Sequence, residues 1–160
     1  MKATNTGFSL IELLIVVAII LIIAAIAVPN LLQSRMAANQ ASAVASCRGI
    51  TSSEVTYVAM YNQGFASSLA VMGPPAGSGA PTPSAAGLLD SSLASGTKSG
   101  YNYVYNAGSP DPQGQYQAFT VNANPIQHGV TGNGYYFADQ TFVIRFSTTS
   151  SASASSTPLQ

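Results

Sequence analysis

The sequence predicts an α+β fold: a long N-terminal α-helix, apolar in its first half and amphipathic in its second, packed on a small antiparallel β-sheet of three or four strands. Three observations carry this. An unbroken run of Leu, Ile, Val and Ala extends from Leu13 to Val28. Past Pro29, apolar residues recur at spacings of three and four, the period of one helical face. From Tyr101 onward aromatic and polar residues alternate, the period of a half-buried strand.

Composition narrows the function. Of 160 residues, 47% are hydrophobic and only 6% are charged, and the five basic and five acidic side chains cancel. Lys2, Arg35, Arg48, Lys98 and Arg145 are scattered along the chain. Phosphate backbones are held by clustered cations, so no nucleic-acid surface is expected. Cys47 is the only cysteine, which excludes an intramolecular disulfide. His128 is the only histidine, so a His-rich metal set cannot form. A nucleophile, base and orienting acid would have to come from Cys47, His128 and Asp111 or Asp139, and no pattern brings these together. The glycines of GSGAP and GVTGNG precede no Gly-Lys-Ser/Thr and read as loops. The expectation is a chain with no catalytic residue, no metal and no cofactor.

Counted from Phe8, the apolar segment has 21 residues before Pro29, close to the ~20 that span a bilayer as a helix. Three fates suit it. As a secretory signal, it would have Lys2 in the positive region and Ala25-Ile26-Ala27 at the cleavage site. As a plain anchor, it would leave Glu12 near the interface. In the third, residues 1–7 are a leader removed between Gly7 and Phe8, leaving a new ammonium on Phe8. Glu12 lies four residues on, one helical turn along the same face. A carboxylate in hydrocarbon costs about 2.5–3.5 kcal/mol or more and takes a partner where it can. The third reading explains the acid; the first two only tolerate it.

Gly7-Phe8-Ser9-Leu10-Ile11-Glu12, followed by the apolar helix and Pro29-Asn30, resembles the class III leader of type IV pilins and their secretion-system relatives. The resemblance implies a membrane peptidase that cuts after Gly7 and methylates the Phe8 nitrogen. It makes Glu12 the assembly acid, paired with the Phe8 terminus. It also implies storage in the bacterial inner membrane through residues 8–28, handling by an assembly platform, and polymerisation into a helical homo-oligomeric filament outside the cell. Many family members carry a glycine within the apolar helix. Here Ala18 to Leu21 has none, which leaves Pro29 as the kink.

Residues 29–63 continue as an amphipathic helix, with Val44, Cys47, Thr51, Val55 and Val58 on the packed face. Gln40, Ser46, Arg48, Ser53 and Glu54 fall on the opposite, solvated face. The helix is expected to stop near Asn62, ahead of Gly64. Residues 64–146 form the head. Met72 to Lys98 is rich in Gly, Pro, Ser and Ala and reads as a surface loop, pinned by a turn at Leu88, Leu89 and Leu93. YNYVYN and QYQAFTVNAN are strands, the second with Phe119 and Val121 on one face. YYFADQTFVIRF reads as two strands joined at Ala138-Asp139-Gln140. Residues 147–160, STTSSASASSTPLQ with its preceding pattern exhausted, read as a flexible tail whose hydroxyls could accept glycans. GNGYYFADQTFVIRF resembles the last hairpin of some pilin-like proteins and favours a pilin over a type II secretion pseudopilin. The calcium loop of pseudopilins is poorly matched, since Asp111 and Asp139 are the only acids after Asp90.

Overall fold

The computed structural model describes residues 7–77 and 79–159. Residues 1–6 of the expected leader, Lys2 among them, lie outside the described residues, as do Ser78 and Gln160. The chain divides into two compact units, Met1–Arg35 and Met36–Gln160.

Helix α1 runs Leu10–Tyr61 with Pro29 inside it. In the first unit its side chains are almost all exposed, as the unbroken apolar sequence requires when no other element of the unit covers it. In the second unit one stripe is buried: Ala43, Cys47, Ile50, Glu54 and Tyr57, at spacings of four, three, four and three. This corrects the expected face. Val55 is 52% exposed, and Glu54, expected in solvent, is 0% exposed. The helix ends where expected. Asn62 adopts φ +50° and donates its N–H to the Val58 carbonyl at 2.9 Å, a left-handed stop.

Next come a 3-10 turn at Leu69–Met72 and the short helix α2, Ser91–Ala94. Asp90 caps α2, accepting from the Ser92 and Leu93 N–H groups. The Gly/Pro/Ser loop between them is tied to the core by Ala86, Leu89 and Leu93, all buried. Leu88 and Leu89 donate their N–H groups to the Met72 carbonyl.

The sheet is a six-stranded antiparallel meander, against the three or four strands expected. Strands β2 (Tyr101–Ala107), β3 (Phe119–Pro125) and β4 (Tyr135–Asp139) form its centre. The additions are β1 (Thr97–Lys98), β5 (Arg145–Ser147) and β6 (Thr157–Pro158). These are two or three residues long, too short to show an alternation. Tyr101, Tyr103, Phe119, Val121 and Ala123 point into the core, the face that alternation assigns. The last hairpin turns later than expected: Asp139 is still in β4, and Gln140–Ile144 makes the connection.

The segment expected to be a free tail also departs from its composition. Thr157 and Pro158 pair with Phe146 and Arg145, and Leu159 donates its N–H to the Ile144 carbonyl at 2.7 Å. Ala152 is buried, and its carbonyl accepts from Asn122 Nδ2 at 2.7 Å. Ser-rich sequence lacks apolar periodicity, but hydroxyls and backbone groups can saturate an exposed sheet edge.

The helix lies on this sheet through polar ties at one end and packing at the other. Asn39 Nδ2 donates to the Thr131 carbonyl at 2.9 Å, and Gln40 Oε1 accepts from the Gly134 N–H at 3.0 Å. Gly132 gives room to the Tyr101 ring, which a side chain there would strike. Toward the end of α1, Tyr57 donates to the Pro83 carbonyl at 2.7 Å.

Candidate functional site

The chemistry-bearing part of the first unit is the start of α1. Ser9 precedes the first helical residue, and its N–H donates to Glu12 Oε2 at 2.9 Å. The Leu13 N–H in turn donates to the Ser9 carbonyl at 3.2 Å. This is the glutamate half of a Ser-x-x-Glu capping box. The motif stands in the sequence at Ser9–Glu12, and reasoning from membrane cost alone passed over it. Free N–H groups and the helix dipole favour negative charge at this end, so the carboxylate is held where it is electrostatically suited.

Phe8 is 80% exposed, and a side chain at Gly7 would meet nothing within 4 Å. The Phe8 nitrogen is separated from the Ser9 nitrogen by two atoms of backbone, so the two lie within about 4 Å of each other. A carboxylate hydrogen-bonded to the Ser9 N–H therefore sits next to the place where cleavage after Gly7 would expose an amine.

From Leu10 to Leu32 every Leu and Val side chain is exposed. Among the described residues α1 is the one helix long and apolar enough to cross a membrane. Pro29 supplies no N–H to the Ala25 carbonyl, and Asn30 Nδ2 donates to the Ile26 carbonyl at 3.1 Å, a side chain entering the ladder beside that gap.

The other candidate groups are held apart. Cys47 is buried in α1, and burial pushes its thiol up to about 12. His128 is exposed and stacks on Tyr135, ring centroids 5.8 Å apart. Asp111 accepts from the Gln113 and Gln115 N–H groups and from Gln117 Nε2, all in its own turn. These bonds, that from the Gln115 N–H foremost, stabilise the ionised form and hold its carboxyl below the usual carboxylate pKa range. Asp139 accepts from the N–H and hydroxyl of Thr141, shaping the β4–β5 turn. Among the described residues no three His, Cys, Asp or Glu side chains stand together. A cavity of about 380 Å³ bordered by Tyr57, Phe65 and Gln113–Tyr116 contains no acid, histidine or cysteine.

Glu54 is the functional group that sequence reasoning misplaced. Its Oε2 accepts from the Ala66 N–H at 2.9 Å, and its Oε1 is 2.7 Å from the Tyr105 hydroxyl. Its position in the 43–47–50–54–57 stripe was the available signal, since the helical period marks 54 as inward-facing whatever residue occupies it.

No curated protein and no solved structure matches the chain. The N-terminal segment does match a family, over residues 2–28, which contain Gly7, Phe8, Glu12 and the apolar half of α1. Residues 2–28 carry the prokaryotic N-terminal methylation motif, the class III prepilin leader of type IV pilin-like proteins.

Proposed function

We propose that this chain is the precursor of a type IV pilin, a structural subunit that is cut after Gly7, methylated on the Phe8 nitrogen and polymerised through α1. The observation that carries the reading is the methylation motif at residues 2–28 joined to a helix whose first half, Leu10 to Leu32, leaves every Leu, Ile and Val side chain exposed. Such a surface has two partners of suitable chemistry, lipid and other copies of the same helix. The motif and the helix fit a membrane-anchored precursor.

In the membrane, the helix from Leu10 satisfies most of its backbone groups internally, the Ala25 carbonyl opposite Pro29 excepted, and Leu13–Val28 offers only hydrocarbon side chains to lipid. Assembly exchanges those lipid contacts for neighbouring helices. Glu12, already oriented over the helix start by the Ser9 N–H, neutralises the Phe8 ammonium of its own or an incoming subunit. Methylation leaves that nitrogen basic, so the pairing survives processing. A buried pair often does no better than break even against its desolvation, so the charges select register while helix packing supplies affinity. Pro29 and the neighbouring Asn30 side chain mark where the helix ladder is weakest, the place for it to bend.

The assembly platform and a peptidase-methyltransferase, which brings its own methyl donor, are the partners this route requires, and the chain itself is assigned no metal or cofactor. A pseudopilin of a type II secretion machine would share the helix and the processing but remain in the envelope. The test is to shear native host cells and determine the mature N-terminus by mass spectrometry. Abundant sheared protein beginning at methylated Phe8 is the expected result. The same terminus confined to membranes would replace the pilus by the secretion piston, and a start at Val28 would overturn the account of Glu12 altogether. Gly7→Leu should leave the precursor uncut, and it should do so without unfolding it, because position 7 is sterically free.

A further inference from the structure

The hydrogens around Glu54 do not balance if its carboxyl is ionised. The Tyr105 hydroxyl oxygen lies 2.7 Å from Glu54 Oε1 and also 2.7 Å from the Ala66 carbonyl oxygen. A hydroxyl has one hydrogen, so it can donate to only one of these. The other contact would then set two oxygens against each other at hydrogen-bonding distance with nothing between them. A single additional proton removes the conflict. With the proton on Oε1, Glu54 donates to Tyr105, Tyr105 donates to the Ala66 carbonyl, and the Ala66 N–H donates to Oε2. Every member of the ring is then satisfied.

We propose that Glu54 is a neutral carboxylic acid in the folded head, and that its proton closes a ring with Tyr105 and Ala66 which fastens the turn after α1 to the sheet and opens when that proton is lost. The surroundings agree with a neutral group. Glu54 has no exposed surface. From β2 it is faced by Tyr105, and from its own helix by Tyr57, whose ring rests against Tyr61. The turn after the helix contributes Phe65, Ala66 and Ser67, none of them titratable in the ordinary range. Among the described residues the one ion pair is Lys98 with Asp90, so no cation compensates Glu54. Burial raises its affinity for a proton, and the hydrogen bonds from Ala66 and Tyr105 only partly oppose this.

The sign of the pH effect follows. A carboxyl whose folded pKa is raised contributes its full stability below the unfolded value, near about 4.3, and loses it as pH climbs toward the folded value. Across that window the folded-to-unfolded ratio falls by up to about tenfold per pH unit. This does not depend on the pilin reading, because it concerns the head alone.

Glu12 and Glu54 are the only glutamates, so the full chain in detergent micelles can be labelled with carboxyl-¹³C glutamate and read by NMR. Glu12→Gln assigns the remaining signal. A Glu54 resonance at the protonated-acid position at neutral pH, moving to the carboxylate position as the pH is raised further, is expected. A resonance at the carboxylate position at neutral pH would overturn the proposal. Glu54→Gln supplies a second measurement, since its amide can donate to Tyr105 and accept from Ala66 without titrating. Urea unfolding of that variant should show a flatter dependence on pH above about 5 than the wild-type chain. Equal slopes, or a wild-type chain that gains stability over the variant as pH rises, would overturn it too.

Discussion

Cys47 and Glu54 occupy the same buried stripe and differ in what the sequence could say of them. A lone cysteine on an apolar helical face is a small hydrophobe in most settings, and the structure places it with no exposed surface. Burial pushes its thiol up to about 12, so the thiolate is essentially absent at neutral pH. The folded chain should therefore leave Cys47 unmodified by a maleimide reagent over hours, with labelling appearing only in denaturant; fast labelling of the native protein would contradict the packing. Glu54 was illegible for a different reason. Its partners are Ala66 and Tyr105, the latter 51 residues away, and a residue's own chemistry cannot reveal a partner brought by topology. Its charge argued for solvent and set it on the solvated face, although the period of the buried stripe runs through position 54. Polarity was the wrong guide, because a proton and two hydrogen-bond partners make a carboxyl as buriable as an amide. Glu12 shows the reverse case. Its spacing from Phe8 and its capping-box spacing from Ser9 are both local, and both could be read directly.

At the scale of elements, legibility followed length. Helix α1 and strands β2 and β3 repeat their patterns often enough for the period to show, and the buried residues fall on the faces those patterns assign in the strands. In α1 the expected face is right in part: Cys47 and Thr51 are buried and Val44 packs on the core, whereas Val55 is exposed and Glu54 lies inward, because Ala, Ser and Thr dilute the contrast between faces. Strands β1, β5 and β6 exist only through their neighbours: a two-residue strand has no alternation, and its ladder partner defines it. The Ser-rich segment that contains β6 illustrates the point. Removing residues 148–160 should expose the Ile144 and Phe146 side of the sheet and strip Ala152 and Leu159 from it. From the partial burial of one leucine and the loss of a few hydrogen bonds, we expect about 1–2 kcal/mol of lost stability in urea unfolding. An unchanged midpoint would show that the segment contributes nothing to the folded head.

At the scale of the molecule, the two units divide the work. Among the described residues, none up to Arg35 is buried, and the buried core belongs to the unit Met36–Gln160. Glu12 belongs to the first, so Glu12→Ala should leave membrane insertion and the urea unfolding of the head unchanged while filament yield falls at least tenfold, measured in the sheared fraction. Wild-type yield from that variant would end the pairing argument. The residues that carry the methylation motif thus lie outside the unit that holds the buried core, and the motif is legible from local spacing where the head's topology is only partly so. The head's scarcity of charge reaches further than its stability. With one ion pair among the described residues, and four basic against five acidic side chains once residues 1–7 were removed, neighbouring fibres built from such subunits would have little electrostatic reason to stay apart. On the proposed function, their tendency to lie side by side would then be governed by hydroxyl, amide and exposed aliphatic contacts, which added salt scarcely weakens, so that bundling would be a default condition of the material.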